Sequence, residues 1–152
     1  MKKQMKYNFL KQIMPITMLA TLAISCVSSK VVLSNGADIG KYKYVVFGSE
    51  VSGDRNLDDV VMSVQNLIAE TGLRVLPESD KSEIIEHFDS ILTPYIHISS
   101  GDKTHITVTF YDYKDNQRIA IVKSSGMGMT VSNDHNIALN AMKKKLNNLF
   151  KK

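Results

Sequence analysis

The chain has one cysteine, no tryptophan and only three prolines among its 152 residues. A single cysteine excludes an intramolecular disulfide, so the fold must rest on a packed core. No internal repeat or low-complexity segment is present, and 43% of the residues are hydrophobic, which is typical of a globular domain. The apolar run at residues 13–24 is shorter than the about 20 residues that a membrane-spanning helix needs. The sequence therefore predicts neither a disulfide-rich scaffold nor a transmembrane protein.

Acidic residues are also absent from the first 25 positions, which carry Lys2, Lys3, Lys6 and Lys11 ahead of the apolar run. A basic start, an apolar segment of roughly 7–15 residues and a small-residue exit are the features of a secretory signal peptide. We predict that residues 1–25 are such a signal peptide and that the protein is exported.

The basic charge of the chain resides in this leader. Four of the 19 lysines and arginines lie before Cys26, whereas all 15 acidic residues lie after it. The exported part is therefore charge-balanced, which argues against nucleic acid as a partner. Its length suits one domain with a single core, which we place at residues 41–152.

The five residues Leu22 to Cys26 resemble a bacterial lipobox. The resemblance implies that Cys26 is acylated, for example with palmitate, and anchors the mature protein to a bilayer. It also implies an outer-membrane location facing the periplasm, because no aspartate follows Cys26 directly. An ordinary cleavage site at Ala23 and Ser25 is the alternative, and it would leave a soluble protein with a free thiol. We predict that residues 26–40 are a lipidated cysteine and a tether, since Val27 to Lys41 shows no sustained periodicity.

Three stretches predict helices, and one before them predicts a strand. Alternating side chains over 42–47 indicate a first strand. Apolar residues at i, i+3, i+4 and i+7 predict a helix over Leu57–Thr71, and the same spacing predicts another over Asn133–Phe150, capped by Ser132. Asp80 followed by Glu83 is typical of the start of a short helix.

A period of two from Leu92 to Gly126 predicts a three-stranded meander. If the loop at 100–104 joins two strands, Ile96 faces Val108, and a turn at Asp115-Asn116 places Phe110 opposite Ile121. One face then holds the apolar residues Ile96, Ile98, Ile106, Val108, Phe110, Ile119 and Ile121. The other face holds Tyr95, His97, Ser99, His105, Thr107, Thr109, Tyr111, Ala120 and Val122.

Together these elements predict an α+β two-layer sandwich. A short apolar strand over 73–76 completes one mixed sheet of about five strands, and the two long helices and the short one pack on its apolar face.

Two surfaces are candidates for recognition. The polar sheet face offers aromatic side chains among threonines, a composition that can hold a peptide or a glycan, although a solvated sheet face has the same composition. Its candidate partner-binding residues are Tyr95, His97, Thr107, Thr109 and Tyr111. The basic run of Lys143, Lys144 and Lys145 is a candidate contact with anionic lipid or peptidoglycan, or a solvated helix face.

Signals for catalysis are weak. His97 and His105 lie at diagonal positions of one face, so a metal-dependent or hydrolytic enzyme is an alternative function, but a metal site usually needs three or four ligands. The 126–128 segment Gly-Met-Gly could hold a phosphate or form a flexible turn. Asp112, Asp115 and Asn116 could bind calcium or only form a hairpin turn. We predict no metal, no cofactor and no catalytic residue.

The order of elements and the segment DYKDNQRIAIVKSSGMG resemble small bacterial envelope lipoproteins of unknown or accessory function. These include penicillin-binding-protein activator lipoproteins and the periplasmic domain of the curli-secretion lipoprotein. The resemblance implies a non-enzymatic role in which the domain docks onto another envelope protein, while the oligomeric state stays open.

Overall fold

Six strands form one mixed sheet in the computed structural model, which describes residues 26–48 and 55–151. The predicted leader, residues 1–25, lies outside the described residues. The strands are β1 (Cys26–Leu33), β2 (Tyr44–Val45), β3 (Arg74–Val75), β4 (Ile91–Ser99), β5 (Thr104–Asp112) and β6 (Arg118–Met127). The helices are α1 (Arg55–Ala69), α2 (Lys81–Glu86) and α3 (Val131–Phe150), with short 3-10 turns at Ile39–Lys41 and Phe88–Ser90. The predicted α+β class is confirmed, with six strands in place of about five.

The spatial order of the strands is β1-β6-β5-β4-β2-β3. The β1–β6, β6–β5 and β5–β4 pairs are antiparallel, and β2 runs parallel to both β4 and β3. The predicted meander is confirmed at its first hairpin, where Ile96 faces Val108 and Ser99 faces His105.

The second hairpin differs from the prediction by one residue. Ile119 is an extra residue between two ladder positions, so Phe110 faces Ala120 and Val108 faces Val122. Such a bulge turns every later side chain of β6 to the opposite face. Ala120 and Val122 are therefore buried on the helix side, and Ile121, which we predicted in the core, lies on the other face.

The predicted tether is wrong for its first part. Cys26–Leu33 is an eight-residue edge strand that pairs along its whole length with β6, from Cys26 opposite Met127 to Leu33 opposite Ala120. Only Val31 packs partly against the main core, so the strand depends on backbone pairing more than on apolar periodicity. That is why its serines and lysine gave no recognisable pattern.

Helices α1 and α3 cover one face of the sheet. Val60, Val64 and Ile68 of α1 and Met142 and Leu146 of α3 are fully or almost fully buried there. Phe110 of β5 meets Phe150 of α3 edge to face, with ring centroids 5.3 Å apart. Helix α3 begins one residue after Thr130, whose side chain caps it by accepting from the Asn133 N–H, so the predicted cap at Ser132 is corrected.

The short helix lies on the opposite face, which corrects the prediction of all helices on one side. Ile84 of α2 packs with Val46, Leu76 and Ile91 in a second core, whereas the neighbouring Val45 belongs to the main core. Consecutive side chains of a strand point to opposite faces, so the two cores lie on opposite sides of the sheet. Asp80 accepts a hydrogen bond from the Glu83 N–H at the start of α2, as predicted.

Candidate functional site: the open sheet face

The face of β1, β4, β5 and β6 that points away from α1 and α3 is here called the open face. Helix α2 covers this side of the sheet only near the edge formed by β2 and β3. All five predicted partner-binding residues come together on this face. Tyr95 faces Thr109, His97 faces Thr107, and Tyr111 faces Thr93 across the β4–β5 pair.

Most side chains of the open face are partly or largely accessible, whereas Ser125 is buried. Tyr95 is 52% exposed, and His97 is exposed beside a half-buried Thr107. Strands β6 and β1 widen the face beyond the prediction, because Val32 faces Ile121 and Lys30 faces Lys123. Sequence reasoning missed these residues, since the strand that carries Lys30 and Val32 was taken for a tether.

The two candidate metal-binding histidines are diagonal neighbours, as predicted, since His97 faces Thr107 and His105 faces Ser99. No group of three or more His, Cys, Asp or Glu side chains that could hold a metal ion occurs among the described residues. A third histidine, His87, stacks on Tyr44 with ring centroids 4.1 Å apart.

The glycines of the 126–128 segment serve packing. A Cβ on Gly126 would lie 2.5 Å from the backbone N of Ala138 and 2.6 Å from the carbonyl O of Asp134, so α3 approaches β6 closely there. The Gly128 N–H donates to the carboxylate of Asp134. A carboxylate therefore already takes the place that a phosphate oxygen would need, which argues against a phosphate-binding loop.

Asp112 is a buried charged residue whose role the sequence did not reveal. Its carboxylate accepts hydrogen bonds from the Tyr42 hydroxyl at 2.7 Å, from the Lys41 Nζ at 3.0 Å and from the Lys114 N–H at 2.9 Å. Burial alone would raise the pKa of Asp112, but the hydrogen bonds from Tyr42 and Lys41 outweigh it and lower the pKa. Burial, followed by the bond to Asp112, raises the pKa of Tyr42 to about 12. All three donors belong to the protein itself, so this arrangement supports a structural role for Asp112.

The three consecutive lysines of α3 lie away from the open face. Lys143 makes a salt bridge of 2.9 Å to Glu70 of α1, and both side chains are about half exposed. Lys144 is exposed and Lys145 half-buried. One of the three predicted envelope-contact lysines is thus already paired within the fold.

The described surface includes two clefts away from Tyr95. The larger, about 550 Å³, lies between the ends of α1 and α3 and is lined mainly by apolar groups and backbone, including Tyr42, Leu73 and Phe150. The smaller, about 240 Å³, adjoins Asp112. Neither cleft includes a residue of the open face between Tyr95 and Ser99. No described helix has both the length and the apolar character needed to cross a membrane.

No protein-family model matches the chain, and comparison with curated proteins finds no match. Among solved structures, the chain is similar to the PelC dodecamer from Paraburkholderia phytofirmans, with a TM-score of 0.54 and 11% identity over 84% of this chain and 99% of the PelC chain. A point variant of the same PelC, also a dodecamer, gives a TM-score of 0.54 and 12% identity over 82% of this chain and 100% of the other. At this identity the likeness concerns the fold alone.

Proposed function

We propose that this protein is a lipid-anchored, non-enzymatic binding or assembly module of the bacterial cell envelope. In this proposal the acylated Cys26 holds the domain at the outer membrane, facing the periplasm, and the open face docks onto another envelope protein. The observation that carries it is the position of Cys26, the only cysteine, which follows the lipobox-like residues 22–25 and is the first residue of β1.

The surroundings of Cys26 support an anchor at this point. Cys26 faces Met127 in the β1–β6 ladder, so the start of β1 and the end of β6 lie at the same end of the sheet. Four large apolar side chains at this end are exposed: Val27 by 52%, Met127 by 39%, Met129 by 96% and Val131 by 57%. Because β1 starts without a spacer, an acylated Cys26 would hold this end against the bilayer surface. The free energy falls when apolar side chains move from water to the acyl-chain boundary.

The open face supports docking more than catalysis. It is a sheet surface with exposed Tyr95, and His97 and His105 have no third potential metal ligand grouped with them among the described residues. A catalytic site would instead be expected in a concave pocket, and the two clefts described above do not include Tyr95, His97 or His105. The alternative enzyme function therefore has less support than a protein-docking surface.

The similar PelC structures are dodecamers, which supports the proposal that this chain also associates with copies of itself. The outer edge of β1 is where another strand could add, because its backbone groups have no neighbouring strand in the part of the chain that the structure describes.

Fractionation of cells tests the proposal. We expect the full chain to sediment with membranes and to require detergent for release. Cys26→Ser should give either a soluble protein or one that retains residues 1–25. The control Ser28→Ala, two residues along the same strand, should stay membrane-bound. A Cys26→Ser protein that is processed and still fully membrane-bound would overturn the anchor.

A further inference from the structure

A row of four side chains crosses the open face from its edge to β4. Lys30 of β1 faces Lys123 of β6, Lys123 faces Thr107 of β5, and Thr107 faces His97 of β4. Neighbouring strands lie about 4.8 Å apart, so the row spans roughly 14 Å. This set of residues is called the basic row.

The two lysines of the basic row are unfavourable for folding. Like charges that are directly opposite each other in a sheet destabilise it. Both side chains are exposed, and neither forms a salt bridge within the described part of the chain, where Lys41, Arg74, Lys114 and Lys143 do. A lysine on an edge strand protects against unwanted strand pairing, which accounts for Lys30. It does not account for Lys123, because β6 is an inner strand.

The rest of the open face provides no opposite charge. None of the strand residues on it, within the described ranges, is an aspartate or glutamate. The rows on either side of the basic row contain Ser28, Ser125, His105 and Ser99, and Val32, Ile121, Thr109 and Tyr95. The nearest carboxylate after β4 in the sequence is that of Asp102, which lies in the loop between β4 and β5 and not on a strand. The four strands thus present positive charge and hydroxyl groups with an exposed tyrosine beside them.

We infer that the basic row binds an acidic protein surface, that is, aspartate or glutamate side chains of a partner polypeptide. This inference deepens the proposed docking function and rests on it. A carboxylate between Lys30 and Lys123 would convert their mutual repulsion into two attractions, and Tyr95 beside the row is a residue type that is enriched at protein interfaces. The two clefts described above include no residue of the basic row, and a surface outside a pocket suits a protein partner better than a small anion.

The test uses the full chain, purified in a nonionic detergent, with poly-L-glutamate as the acidic polypeptide and polygalacturonate as the acidic glycan. The protein is acetylated at low ionic strength, and mass spectrometry then measures how fast each lysine is modified. We expect poly-L-glutamate to slow acetylation of Lys30 and Lys123 several-fold and to leave Lys144 unchanged, with the protection lost in high salt because exposed charges are then screened.

A matched pair of variants completes the test. K30Q/K123Q should weaken poly-L-glutamate binding about tenfold, and K143Q/K144Q, which removes the same charge from α3, by no more than about twofold. The melting temperature of K30Q/K123Q should be unchanged or higher, which shows that any loss of binding is not a loss of folding. Equal weakening by both pairs, or protection by polygalacturonate without protection by poly-L-glutamate, would overturn the inference. Because no readout depends on acylation, this result is independent of whether the Cys26 anchor exists.

Discussion

The carboxylate of Asp112 accepts a 2.7 Å hydrogen bond from the hydroxyl of Tyr42, and the two residues are 4% exposed each. This bond ties the end of β5 to the segment that leads into β2. Asp112→Ala would leave the Tyr42 hydroxyl buried without its acceptor, a loss of about 1–3 kcal/mol in the free energy of unfolding. Urea denaturation at neutral pH measures it. Asp115→Ala, which removes an exposed hydrogen bond from the Gln117 N–H in the same hairpin, serves as the control with a smaller expected effect.

The same pair predicts how stability depends on pH. The pKa of Asp112 is lower in the folded protein, so its contribution is present at neutral pH and is lost as the pH falls below the ordinary aspartate value of about 4. The pKa of Tyr42 is raised from 10.0 to about 12, so its contribution is present below pH 10 and is lost as the pH rises towards 12. Melting temperatures across both ranges check this. Tyr42→Phe should flatten the alkaline loss, and an equally steep loss in that variant would assign it to other groups.

Gly126→Ala, which adds a single methyl group, is expected to reduce the stability of the fold strongly. In Gly126→Ala the new Cβ would meet the backbone of Ala138 and Asp134 at 2.5–2.6 Å, and a backbone cannot rotate away as a side chain can. We expect α3 to be displaced from β6 and the free energy of unfolding to fall by about 3 kcal/mol or more. Gly101→Ala is the matched control, because a Cβ there has no neighbour within 4 Å. Similar stability of the two variants would contradict the close approach of α3.

Much of the fold follows from patterns that the sequence displays. The stripe of Val60, Val64 and Ile68 predicts α1 because burial on one side requires the helical period, and the alternation around Ile96 and Val108 sets the first hairpin. Neither prediction needs information from elsewhere in the chain.

Other features depend on distant parts of the chain and could not be predicted. The extra residue Ile119 changes which side chains of β6 are buried, and nothing local distinguishes a bulge from a regular hairpin there. Strand β1 forms because β6 offers it a partner about 90 residues later. The sequence alone therefore could not place Lys30 on the open face. Asp112 resembled an ordinary turn residue, because its donors Lys41 and Tyr42 lie about 70 residues away.

Met129 provides a probe of which end of the domain meets the bilayer. Because the chain has no tryptophan, Met129→Trp introduces a single emitter at a side chain that is 96% exposed. On vesicles we expect the emission of this tryptophan to shift to the blue and to be quenched by brominated lipids. Asp115→Trp, in the β5–β6 turn at the other end of the sheet, should keep the emission of a tryptophan in water. Equal behaviour of the two variants would contradict the proposed orientation.

The mass of the mature amino-terminal peptide tests the central proposal most directly. We predict that mass spectrometry of the protein isolated from bacterial envelopes will find Cys26 as the first residue, carrying two or three acyl chains. A chain that retains residues 1–25, or one that begins at or near Cys26 with an unmodified thiol, would contradict it.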